Sequence, residues 1–167
     1  MGRRISYTIW GCLKSSNDWL EWYEDVKVFF HSLKYDLTHF GITGDTYNSD
    51  KILTVSRKEK EFINKLESNI YPTCVECYSL LPNYQIAMFD FNIACIRSDS
   101  YISIVLKKED VTSRIEKSVI ELEKKYIIGT KGEIYSTSDK EVPMIYAETG
   151  DAKSLDTYKF IKRIKVN

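Results

Sequence analysis

Four cysteines, two histidines, one aspartate between phenylalanines, a Gly-Thr-Lys-Gly run and a basic C-terminus are the features that could carry chemistry. Cys74-Val75-Glu76-Cys77 is the one cysteine pair at metal-ligand spacing. A structural zinc site needs four ligands, from a second such pair or two histidines. Cys12 and Cys95 stand alone, and a strand would turn Cys74 and Cys77 to opposite faces. His31 and His39 read as lying on one long helix, where eight positions diverge by about 80°. A redox pair would open a helix, which this one does not. No metal or cofactor is therefore expected, and the cysteines read as half-buried thiols.

Catalysis and phosphate binding find no better support. There is no Gly-X-Ser-X-Gly nucleophile motif, so a serine triad has no local anchor. Asp90, between Phe89 and Phe91, reads as a solvated carboxylate on a strand beside Met88 and Asn92. Gly129-Thr130-Lys131-Gly132 has the form of a backbone-clamping GxxG loop, which in that module joins two helices. Here a β-prone segment follows, so a helix cap and turn are expected instead. The C-terminus mixes Lys153, Lys159, Lys162, Arg163 and Lys165 with Tyr158 and Phe160. A nucleic-acid groove uses such a mixture, but so does an edge strand guarded by lysines. The edge strand is the preferred reading, and any partner it meets should be acidic. The candidate partner-binding residues are Tyr101, Tyr135, Tyr158, Lys159, Phe160, Lys162 and Arg163.

The elements that would position these groups follow from periodicity. Ile5 to Cys12 reads as a strand. Ser15-Ser16-Asn17 then caps a long helix whose aromatic and aliphatic residues, Trp19 through Phe40, fall on one face, with Gly41 as its C-cap. After Ile52–Val55, Ser56 and Glu59 form a capping box for a helix carrying Phe62, Ile63 and Leu66. From Thr73 the period becomes two: strands at 73–81, 85–97 and 101–107, with Ser98-Asp99-Ser100 closing a hairpin. Asp110 caps a third helix through Tyr126. Short strands follow at Glu133–Ser136 and Val142–Ala147, then a last strand over Thr157–Val166. The expected fold is α+β, one domain over 1–167: an antiparallel or mixed sheet with about three helices mainly on one face.

Composition narrows the function classes. Apolar residues make up 43% and charged residues 29%, which excludes a disordered chain. The 24 basic and 24 acidic residues cancel, whereas a general nucleic-acid binder shows a basic excess. No apolar run approaches the roughly 20 residues of a membrane span. Met1-Gly2 with Ser6 fits the myristoylation pattern, but Ile5 onward reads as strand. Arg3-Arg4 with the short stretch to Leu13 is too polar for a signal peptide. Cysteines in a chain large enough to fold without staples point to a reduced, cytoplasmic setting. Twelve tyrosines, seven phenylalanines and three tryptophans suit half-buried strands and contact surfaces alike.

The opening strand with Trp10-Gly11, followed by a Ser/Asn-capped aromatic helix with Phe29-Phe30 and Leu33, resembles small immunity proteins of bacterial polymorphic-toxin systems. The resemblance covers about the first 45 residues and the overall format. It implies a non-catalytic protein that binds and occludes a cognate toxin domain, with no binding residues to carry over. A homo-oligomer is compatible with the sequence. The rival is a small enzyme or ligand-binding domain whose pocket gathers Asp90, Tyr101, Glu133 and Tyr135.

Overall fold

The computed structural model describes residues 2–48 and 51–166. Its centre is an eight-stranded antiparallel sheet in the order β3-β2-β4-β5-β6-β1-β7-β8. The strands are β1 (Arg3–Leu13), β2 (His39–Thr43), β3 (Ile52–Thr54), β4 (Cys74–Leu80), β5 (Phe91–Arg97), β6 (Tyr101–Lys107), β7 (Ile127–Ser138) and β8 (Lys159–Arg163). Four α-helices accompany them: α1 (Trp19–Ser32), α2 (Val55–Glu67), α3 (Ser113–Tyr126) and α4 (Met144–Thr149). The α+β expectation is met, with the sheet dominant and wholly antiparallel. No helix among the described residues is long and apolar enough to cross a membrane.

Alternation along the strands divides the core in two. Tyr7, Ile9, Cys77, Ile93, Cys95 and Ile104 face α1, α2 and α3, whose Trp22, Phe30, Phe62 and Val119 complete that side. Tyr78, Phe91, Ala94, Ile96 and Val105 face the other way, where Val142, Met144 and Ala147 cover them. Three helices thus share one face, and α4 lies on the other.

Several boundaries differ from the sequence expectation. The first helix stops at Ser32 rather than running on to Gly41. Lys34 turns left-handed (φ 65°) and the Tyr35 amide donates back to Phe30 O. The chain then re-enters the sheet as β2, pairing His39 with Tyr78. Phe40 reaches the same core from a strand, against Tyr23 and Phe62, and so extends the helical spacing without extending the helix. His39 therefore lies on β2, not beside His31 on one helix.

The helix starts are also held by other residues than expected. Asp18, not the preceding Ser/Asn run, occupies the α1 cap position, and its side chain makes no capping bond. Thr54 precedes α2, so Ser56 and Glu59 form no capping box; Glu59 instead accepts from Tyr23 Oη (2.6 Å) and pairs with Lys27 (2.8 Å). Thr112 caps α3 by accepting from the Ile115 amide (3.2 Å). Asp110 instead accepts from Tyr35 Oη (2.6 Å).

Around β5 and β7 the corrections are larger. β5 begins only at Phe91, because the Asp90 carboxylate accepts from the Gln85 and Ile86 amides and closes a turn before it. Gly129-Thr130-Lys131-Gly132 is neither cap nor turn but part of β7, which follows α3 directly. A Cβ at Gly132 would stand 2.7 Å from Ile164 Cβ, so the glycine lets the C-terminal segment close on β7. Residues 142–147 are not a strand either; α4 occupies most of them, entered after Pro143 and ended by left-handed Gly150 (φ 64°). Proline before and glycine after are what that short helix needs.

Candidate functional site

β8 closes one edge of the sheet, as the C-terminal sequence suggested, and all five of its residues are exposed. Its register sets Glu133 opposite Arg163, Ile134 opposite Lys162, Tyr135 opposite Phe160 and Ser136 opposite Lys159. A bulge between Ile134 and Tyr135 leaves Ile161 without a partner of its own. Phe160 and Ile161 are 46% and 45% exposed, two apolar side chains in the open amid three cations. Among the described residues, Lys162 is the one of the three that meets a carboxylate, Glu116 of α3 at 2.8 Å.

Beneath this edge lies an aromatic platform that sequence reasoning reached only in part. Tyr135, Tyr146 and Tyr158 pack ring against ring, with centroids 4.4–5.5 Å apart. Trp10 meets Tyr146 edge-on and donates its indole N–H to Ala147 O (2.8 Å). Glu133 ties the group together: Oε1 accepts from Tyr146 Oη (2.7 Å) and Tyr158 Oη (2.9 Å), and Oε2 pairs with Lys131 (3.0 Å). Burial works to raise the Glu133 carboxyl, but Tyr146, Lys131 and Tyr158 outweigh it and hold it below the usual range. The same burial, with Glu133 beside them, pushes both phenols up. The platform thus sets one carboxylate, held below its usual range, among three phenols all held above theirs.

This geometry predicts a modest mechanical role. Tyr146→Phe removes one charged hydrogen bond and should cost about 1.5 kcal/mol of stability in urea unfolding. A loss below a few tenths would mean that Lys131 and Tyr158 satisfy Glu133 unaided.

The seven candidate residues separate by accessibility. Tyr158, Lys159, Phe160, Lys162 and Arg163 share the β8 edge. Tyr135 is fully buried beneath it, its hydroxyl on Thr8 Oγ1 (3.0 Å). Tyr101 is 2% exposed and donates to Glu148 Oε1 (2.8 Å), one strand beyond β1. Neither can present its ring to a partner; both fill the layer under α4. The rival pocket is not assembled. Asp90 lies at the Arg4–Lys107 end of the sheet and Tyr101 at the Trp10 end, with the length of β1 between them. Tyr146 and Lys131 were missed because Tyr146 read as strand and Lys131 as turn. Trp10 entered the sequence reading only through the resemblance of Trp10-Gly11, not as a member of an aromatic cluster.

The remaining chemical candidates have settled roles. Cys74 and Cys77 do face opposite ways, one toward each core. Burial pushes the Cys74 thiol up to about 12 and Cys77 and Cys95 well above their usual value. All four cysteines are free. His31 and His39 line one open groove between α1 and the approach to β2, together with Val28, Leu37 and Val55. Among the described residues, no group of three or more His, Cys, Asp or Glu is placed to hold a metal ion.

One buried acid makes stability depend on pH. Glu123 of α3 is fully buried, and neither carboxyl oxygen has a hydrogen-bond partner among the described residues. Burial drives its pKa well above 4.5, with the Ile104 amide the smaller and opposing influence. Above pH 4.5 the unfolded chain releases a proton that the native chain still holds. Stability contributed by this group therefore falls as pH rises toward the folded value. Glu123→Gln should flatten that slope, raising Tm relative to wild type at pH 7 and leaving it nearly unchanged at pH 4. Parallel Tm profiles for the two proteins would contradict this.

Comparisons with families of known proteins, with curated proteins and with solved structures find no match to this chain.

Proposed function

We propose that the chain is a non-catalytic binding protein whose β8 edge receives a protein partner, and more specifically an immunity protein that occludes a bacterial toxin domain in the cytoplasm. The observation that carries the binding reading is the strip Lys159-Phe160-Ile161-Lys162-Arg163, exposed along its whole length at a sheet edge. Aromatic and arginine side chains at such a strip are the residue types that anchor interfaces. The charge of the strip asks for an acidic partner.

Four free thiols suit a reducing compartment. The immunity reading adds the N-terminal resemblance and the neutral, compact format.

The test is to recover the tagged chain from its native cells under gentle conditions and identify what co-elutes on gel filtration. A single partner at fixed stoichiometry is expected, and its isolated domain should arrest growth unless this chain is co-expressed. A chain that elutes alone throughout removes the binding reading. A stoichiometric but harmless partner leaves binding and removes immunity.

A further inference from the structure

We infer that the partner's contribution at this edge is an extended acidic segment that pairs main chain to main chain with β8 as a ninth strand; the inference rests on the binding reading above. An edge strand presents a row of unpaired amides and carbonyls outward. The Ile164 amide donates inward to Gly132 O (2.9 Å). Antiparallel alternation then turns the Arg163 amide outward, away from β7. The opposite edge, β3, is only three residues long and offers a shorter template.

The side chains select which strand can add. Lys159 and Lys162 stand opposite Ser136 and Ile134 on the helix side, while Phe160 and Arg163 stand opposite Tyr135 and Glu133 on the other. Among the described residues, Lys162 is the one of these cations that pairs with a carboxylate, Glu116. A second copy of this chain is a poor occupant, because the fully overlapped antiparallel register of β8 on β8 sets Lys159 opposite Arg163 at both ends, and the in-register parallel one sets every cation opposite itself. Like charges directly opposite are destabilising. A neutral strand would leave the cations unpaired beside it. An acidic strand with an apolar residue beside Phe160 satisfies both faces.

Lysines that merely guard an edge need no exposed apolar neighbours. Phe160 and Ile161, each nearly half exposed, are what distinguish a receiving edge from a guarded one.

The probe is a capped, fluorescent ten-residue peptide alternating Glu and Val, N-methylated along one edge so that it cannot stack on itself. Its counterpart carries Lys for Glu. Anisotropy should show saturable binding of the Glu peptide and none of the Lys peptide, and amide exchange at Arg163 should slow. Proline is tolerated where an edge amide faces solvent. Arg163→Pro removes the outward donor as well as the charge, so it should weaken binding roughly fivefold beyond Arg163→Ala. Equal affinities for the two variants, binding of the Lys peptide, or dimerisation of the free chain through β8 would overturn the inference. If Arg163→Pro fails to fold, exchange at Arg163 in the wild type decides alone. A native partner captured equally by both variants would keep the binding reading and remove strand addition.

Discussion

Asp18→Ala should destabilise the protein by about 3 kcal/mol, because it strands a buried guanidinium. Arg97, at the end of β5, has no exposed side-chain surface and points into the helix-side core. It lies over Trp19 at 4.1 Å and near the rings of Trp22 and Tyr126. Asp18 accepts a charged hydrogen bond from Arg97 Nη2, which also reaches Ser15 O at 3.3 Å. Nε and Nη1 have no partner among the described residues. Asp18 is thus the sole carboxylate bonded to this cation, at the entry to α1. Arg97→Met removes the buried charge itself, fills similar volume and should cost less than Asp18→Ala. The double variant should resemble Arg97→Met alone. Equilibrium urea unfolding measures all three. Asp18→Ala within half a kcal/mol of wild type would show that the cation is satisfied without it.

Lys159→Glu/Lys162→Glu/Arg163→Glu should lower affinity for the native partner at least about 100-fold at low salt, since like-charge juxtaposition costs several kcal/mol. The fold should survive: all three side chains are exposed. Lys162 alone exchanges an ion pair, with Glu116, for a repulsion near solvent. Screening separates charge from shape. Added salt should weaken the wild-type complex and strengthen what remains of the variant complex. Titration calorimetry at two ionic strengths would show it. A triple variant that binds as tightly as wild type would place the interface elsewhere.

The features most legible in the sequence were those set by simple alternation. The β5–β6 hairpin, the first strand and the opposite facing of Cys74 and Cys77 all follow from period two and a short polar turn, while the edge position of the last strand follows from its lysines. Where one physical signal served two structures, reading failed. Leu37 and Phe40 continue the spacing of α1 because the connection after the turn at Lys34 and then β2 deliver them to the same core. Gly129 to Gly132 resembled a turn, yet the glycines are there for close approach of Ile164 and Val166 inside a strand. The short α4 was legible in Pro143 and Gly150, but its apolar run favoured a strand.

The site was half legible for the same reason. Exposed residues of β8 could be named from composition. The Glu133 clamp and the burial of Tyr101 and Tyr135 depend on α4 and the strand order, which are tertiary facts. Arg97 gave no signal at all, because an arginine closing a strand is ordinary until two tryptophans and a tyrosine close around it.

Hydrogen–deuterium exchange on the captured complex against the free chain reads out whether a partner is received along β8. Slowed exchange concentrated in Lys159–Arg163, with the surface of α2 unchanged, is the expected result. Protection confined to α2 or to the groove beside α1, with β8 exchanging as it does in the free chain, would contradict it.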